Sequence, residues 1–162
     1  MKTTKPNKTA LAAAIDILAR RSYSRKMLSD KLKLKGYDEA EIGVAIECLT
    51  KRGYLNDHEL CEWLYRQYIE AEHYSRRQIE AKLLQKGFEQ SVISDCRQSG
   101  DSEREICAAA KVLRIRYNTR KMVDSAKMLQ YLYTKGFARD VIRMVVADFT
   151  NQRPAEELIE LD

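Results

Sequence analysis

Ser24-Arg25-Lys26-Met27-Leu28-Ser29-Asp30-Lys31-Leu32-Lys33-Leu34-Lys35-Gly36-Tyr37 carries the pattern on which the architecture turns. Leu28 and Leu32 lie one helical turn apart, and Ser24 is a good N-cap residue. Gly36 suits the left-handed position that ends a helix, and Lys35 favours the negative end of the helix dipole. The same design returns twice, as Ser75 to Lys86-Gly87-Phe88 and as Asp124 to Lys135-Gly136-Phe137. The three glycines are 51 and 49 residues apart. Eight residues before them stand Leu28, Ile79 and Met128, and four before them Leu32, Leu83 and Leu132. Six residues after them stand Ile42, Ile93 and Ile142. Recurrence at such a period predicts a repeat architecture. Tyr37, Phe88 and Phe137 are expected to pack back on the helix each follows.

Outward from these segments the pattern stays helical. Proline occurs only at positions 6 and 154, so nothing between them breaks a helix by removing an N–H. No stretch alternates apolar and polar residues convincingly, whereas spacings of three and four recur in Leu11, Ile15 and Leu18 and in Ile106, Ala110, Leu113 and Tyr117. Leu60, Leu64 and Ile69 do nearly the same, and Trp63, Tyr65 and Tyr68 on that segment cannot share one face. Gly53 and Gly100 are read as ending third helices. Capping boxes are expected after them, Asn56 with Glu59 and Ser102 with Glu105. Helices are predicted over 8–21, 24–35, 38–51, 56–73, 75–86, 89–98, 101–120, 124–135 and 138–149. The expected fold is all-α, with three tandem three-helix repeats stacked into an elongated, curved right-to-left array of about nine helices. The repeats span 8–52, 53–100 and 101–149, and 150–162 form an acidic C-terminal tail.

Charge and composition narrow the function. The 162 residues are 44% hydrophobic and 33% charged, enough apolar content for a packed core. No apolar run approaches the ~18 residues that span a membrane, and the N-terminal stretch lacks a secretory cleavage pattern. A cytoplasmic protein is expected. Cys48, Cys61, Cys96 and Cys107 fit no common zinc spacing, and only His58 and His73 could add ligands. They read as reduced thiols, with no metal and no cofactor. Phosphate-binding glycine loops, a nucleophile elbow and a dinucleotide fingerprint are all missing from the sequence, so no enzyme is expected.

The formal net charge is +5, unevenly spread. Residues 1–52 carry +6, 53–100 carry −2, 101–149 carry +4 and the tail −3. Arg20, Arg21, Arg25 and Lys26 cluster around one turn and a helix N-terminus, where backbone N–H groups could help hold a phosphate. Lys33 lies off the apolar face of its helix, and Arg76 and Arg77 repeat the turn in the second unit. In the third unit Arg104 and Lys111 are heptad-spaced opposite Ile106, and Arg114, Arg116, Arg120 and Lys121 follow. A basic stripe beside tyrosines is the electrostatic footprint of a nucleic-acid contact, although any one such cation also serves simply to solvate a helix. These thirteen basic residues form the candidate partner or DNA-binding set.

Gly53-Tyr54-Leu55-Asn56-Asp57 resembles the segment that opens the second unit in the RecX family of bacterial recombination regulators. Tyr23-Ser24 with Leu28, Lys31-Leu32 and Lys35-Gly36-Tyr37 is similar to that family's first unit. Ile79, Leu83 and Lys86-Gly87-Phe88 resemble its second, and Lys127-Met128-Leu129-Gln130-Tyr131-Leu132-Tyr133-Thr134-Lys135-Gly136-Phe137 with Ile142 its third. The resemblance covers residues 8–149. It implies three tandem three-helix units and a modulator, most often an inhibitor, of the RecA recombinase. Such a protein would lie along the RecA filament on DNA, oppose its extension, and limit its ATPase and strand exchange. It implies the RecA filament as partner, with single- or double-stranded DNA as a second one; no membrane partner is expected, and the chain is read as a monomer. Glu70-Ala71-Glu72-His73-Tyr74-Ser75 departs from the family's glycine-containing basic turn. Two other readings stay open: a general DNA-binding protein acting without RecA, and a helical-repeat adaptor for another protein.

Overall fold

The computed structural model describes residues 8–97, 100–117 and 124–151. Among them are nine helices and no strand: α1 (Ala10–Leu18), α2 (Arg25–Leu34), α3 (Glu39–Lys51), α4 (Asp57–Glu70), α5 (Arg76–Gln85), α6 (Gln90–Asp95), α7 (Asp101–Arg116), α8 (Ser125–Thr134) and α9 (Arg139–Asn151). The all-α expectation holds. The chain divides into two compact units, Met1–Tyr65 with Lys82–Cys96, and Arg66–Ala81 with Arg97–Asp162. The dividing line passes through α4 and α5.

The lysine-glycine-aromatic triplets close α2, α5 and α8 as expected. Gly36, Gly87 and Gly136 have φ of 88°, 83° and 80°, the left-handed region where a side chain is strained. The N–H groups of Tyr37, Phe88 and Phe137 reach back to the carbonyls of Leu32, Leu83 and Leu132 at 3.2–3.3 Å. Those of the three glycines bond to Lys33, Leu84 and Tyr133 at 2.9–3.0 Å. This is the paired Schellman arrangement, and it satisfies the last free carbonyls of each helix. The three aromatic rings are buried, at 3–8% exposure.

Each unit has its own core. In the first unit Leu28, Leu32, Tyr37, Ile42, Ala45 and Leu49 pack with Ala10, Ala13 and Ala14. In the second, Leu113, Met128, Leu132, Phe137, Ile142 and Val145 pack with Ala108 and Ala109. The nine repeat positions chosen from the sequence are all buried. The choice of face on α1 needs correction: Ile15 is 49% exposed, and the alanines point inward instead. Small side chains bring α1 close to α3, and that closeness leaves Ile15 outside. On α4, as expected, the aromatic residues do not share one face: Trp63 is 55% exposed, while Tyr65 fills the interior.

The helix starts bring two more corrections. Gly100 does not end a third helix; at φ 93° it caps the start of α7, and α6 stops at Asp95. Ser102 and Glu105 form no capping box, because Glu105 is buried at 5% and turned toward α5. Asn56 does accept from the Glu59 N–H at 3.2 Å, but the Glu59 carboxylate returns to the Asn56 side chain rather than its backbone.

Candidate functional site

The N-terminus of α2 was a candidate phosphate site, and the protein itself fills it. Ser24 Oγ accepts from the Met27 N–H at 3.2 Å, and Asp57 Oδ1 of α4 accepts from the Arg25 N–H at 2.9 Å. A carboxylate thus already takes the position an anion would occupy. Ser24 Oγ also donates to the Lys86 carbonyl at 2.6 Å. The second unit repeats the device. Ser75 Oγ accepts from Gln78 N–H at 3.2 Å and donates to the Lys135 carbonyl at 2.8 Å. Glu105 Oε1 accepts from the Arg76 N–H at 3.1 Å, and its other oxygen accepts from the Arg76 guanidinium, also at 3.1 Å.

These contacts decide what several candidate cations do. Lys26 is exposed, but its stem crowds Gly87 so closely that an added Cβ would lie 2.5 Å from it. Arg77 stands in the same relation to Gly136, at 3.3 Å. Arg76 is half-buried and committed to Glu105 and to Ser102 Oγ at 3.2 Å. Lys33 pairs with Glu39 at 2.7 Å, which raises the lysine pKa and lowers that of the glutamate through their hydrogen bond. Lys111 pairs with Glu72 at 3.3 Å. Arg104 and Arg114 are exposed on α7, and the exposed Arg116 lies over the Tyr131 ring at 5.7 Å. Arg120 and Lys121 lie outside the described residues.

The open concavity of the first unit is a cleft of about 690 Å³ between α1 and α2. Arg20, Lys31 and Lys35 line it over a floor that includes Ala13 and Ile17, with Leu34 beside them. Arg21 stands next to it, its Nε–H donating to Tyr23 Oη at 2.6 Å and its guanidinium 4.6 Å from the ring centre. Lys31 Nζ lies 5.3 Å from the same ring centre. The Arg21 hydrogen bond holds the Tyr23 pKa below its ordinary value. Lys8 and Asp16, also in the lining, pair at 2.8 Å; their hydrogen bond raises the lysine pKa and lowers that of the carboxyl. Arg20, Lys31 and Lys35 make no salt bridge among the described residues. Arg20 thus lines this cleft and Arg21 adjoins it, whereas Arg25 and Lys26 sit at the opposite end of α2.

Lys8, Lys31 and Lys35 were absent from the candidate set. Lys35 had been explained by the helix dipole alone, yet Lys31 and Lys35 are four apart and so share one face of α2. That spacing was the available signal.

Residues 10–54 match the family described as RecX, first three-helix domain. A "Regulatory protein RecX" from Vibrio parahaemolyticus is 30% identical over 145 residues, covering 87% of this chain and 92% of the relative. The chain belongs to the RecX family. A RecX protein from Clostridium botulinum is 32% identical over 145 residues, with 86% of this chain and 68% of the relative covered. One from Caldanaerobacter subterraneus is 32% identical over 131 residues, and this chain spans 65% of its length. The crystal structure of RecX from Lactobacillus salivarius has the same fold, with a TM-score of 0.75 at 23% identity, covering 88% of this chain and 95% of that one. The Vibrio, Clostridium and Caldanaerobacter relatives are named as regulatory proteins. In this RecX chain, among the described residues, no helix is long and apolar enough to cross a membrane.

Proposed function

We propose that this chain is a cytoplasmic, non-enzymatic modulator of the RecA recombinase in DNA repair and recombination. It binds the RecA–DNA filament as a monomer and limits its extension, ATPase and strand exchange. Three tandem units over 8–52, 53–100 and 101–149, followed by the 150–162 tail, would let one chain engage several filament protomers. The single observation that carries this reading is membership of the RecX family over most of the chain.

The exposed cations supply the attraction. Arg20, Arg21, Arg25 and Lys26 in the first unit and Arg104, Arg114 and Arg116 in the second are exposed and would meet acidic RecA surface or DNA phosphate. Arg76, Lys33 and Lys111 contribute less, because each already has an internal carboxylate partner.

The test is single-stranded-DNA-dependent ATP hydrolysis by RecA, titrated with this protein below one copy per RecA, beside DNA binding without RecA. The reading expects inhibition at substoichiometric ratio with weak DNA binding alone. No inhibition, together with tight and steeply salt-dependent duplex binding, would replace it with a general DNA-binding role.

A further inference from the structure

We propose that the cleft between α1 and α2 is a docking site for an acidic peptide segment that carries leucine-like side chains, borne by a protein partner. The inference rests on the partner being a protein, as read above, and not on that protein being RecA. The charge is one-sided: Arg20, Lys31 and Lys35 line the cleft without an internal carboxylate salt bridge, and Arg21 adjoins them. The opposing Asp16 is already matched by Lys8. Asp16 also attracts Arg20 and Lys35, but it is one carboxylate among four lining cations, Lys8, Arg20, Lys31 and Lys35, so an incoming carboxylate meets a net positive cleft.

The floor of the cleft selects among anions. It is aliphatic, with Ala13 and Ile17 below and Leu34 beside them at 88% exposure, the most exposed of the large apolar side chains described. A leucine so fully solvated does nothing for the α2 core. Single-stranded nucleic-acid sites offer exposed aromatic faces on which bases stack. Here both rings in the lining, Tyr23 and Tyr37, are only 8% exposed. Tyr23 Oη already accepts from Arg21, and Tyr37 Oη donates to the Lys8 carbonyl at 3.0 Å. Cations around an aliphatic floor match carboxylates spaced by leucines, which bury apolar area while the charges meet at the rim.

The experiment measures fluorescence anisotropy of a labelled peptide of repeated Glu-Glu-Leu units titrated with the full chain. The variants are Lys31→Glu/Lys35→Glu, Leu34→Ser, and the equal-charge control Lys127→Glu/Arg143→Glu on exposed positions of α8 and α9. The cleft double reversal should weaken binding by about tenfold or more and the control by less than about twofold. Leu34→Ser, which touches no packed contact, should weaken it by about threefold. Equal loss in cleft and control variants would overturn the proposal, as would a Gln-Gln-Leu peptide binding equally well. Oligothymidylate binding that depends on Lys31 and Lys35, with no peptide binding, would overturn it in favour of nucleic acid. RecA inhibition by the unaltered chain is read separately, so a failure of that chain to bind the peptide, with inhibition intact, rejects the cleft and spares the functional reading.

Discussion

Ser75 is a fully buried hydroxyl with three jobs: it accepts from Gln78, donates to Lys135, and its own N–H donates to the Gln78 side chain at 3.1 Å. Ser75→Ala leaves the part-buried Lys135 carbonyl and the Gln78 N–H without their Ser75 partner, and should cost about 1–3 kcal/mol in urea unfolding. Gly87 is constrained twice, by its φ of 83° and by the Lys26 stem. Gly87→Ala should destabilise by about 1–2 kcal/mol from the left-handed conformation alone. Adding Lys26→Ala should restore only the part of the clash due to the lysine Cγ and Cδ, since its Cβ, also 2.5 Å away, remains; a double-mutant cycle would read that part. Burial pushes the Cys61 thiol up to about 12, and Cys96, its neighbour, also upward. Both should resist a thiol reagent at pH 8 in the folded protein, while the exposed Cys107 reacts. A raised thiol pKa is a stability contribution present below the unfolded value near 9 and lost as pH rises toward 12. The unfolding free energy should therefore fall across that window, and less so in Cys61→Ala.

At the scale of elements, the first N–H of α2 and of α5 is held by a carboxylate from a helix further along the chain. The two are unequal. Asp57 is half-exposed and serves only the Arg25 N–H, whereas Glu105 is buried and serves both the N–H and the guanidinium of Arg76. Glu105→Ala should cost about 2–4 kcal/mol, because it strands a half-buried arginine, and Asp57→Ala about 1 kcal/mol or less. Equal midpoint shifts for the two would show that burial does not set the difference. The faces of α1 give a second contrast. Ala14 is fully buried and Ile15 half-exposed, so Ala14→Leu should overpack the core at about 1–3 kcal/mol while Ile15→Ser stays within about 0.5 kcal/mol. Neither ranking follows from hydrophobicity, which would put Ile15 inside.

For the whole molecule the relevant quantity is how charge is distributed between what is spent internally and what remains available to a partner. Reversing Arg20, Arg21, Arg25 and Lys26 to Glu should raise the concentration for half-inhibition of RecA about tenfold at low salt, with the gap closing as salt rises. An unchanged inhibition curve at low salt would remove the first unit from the contact.

Much of this was legible in the sequence. Leu28, Leu32 and Gly36 with their counterparts announce three helix ends, since a left-handed residue after an apolar i, i+4 pair has few other uses. Helix existence, order and approximate ends followed from local chemistry of that kind, as did the nine buried repeat positions. Ile15, Gly100 and Glu105 were misread because their roles depend on groups distant in the chain. An alanine face lets α3 approach α1, and a buried carboxylate turns from its own helix to cap another. The candidate site divides the same way. That residues 8–35 are rich in cations is a matter of composition. Which cations remain free for a partner was decided only in three dimensions, where Lys33 meets Glu39, Arg76 meets Glu105, and Lys31 and Lys35 line the open side of a cleft without a salt bridge among the described residues. Local sequence fixes backbone propensity and periodicity, because those act over a few residues. Charge pairing and burial act through space, and only the folded chain brings the partners together.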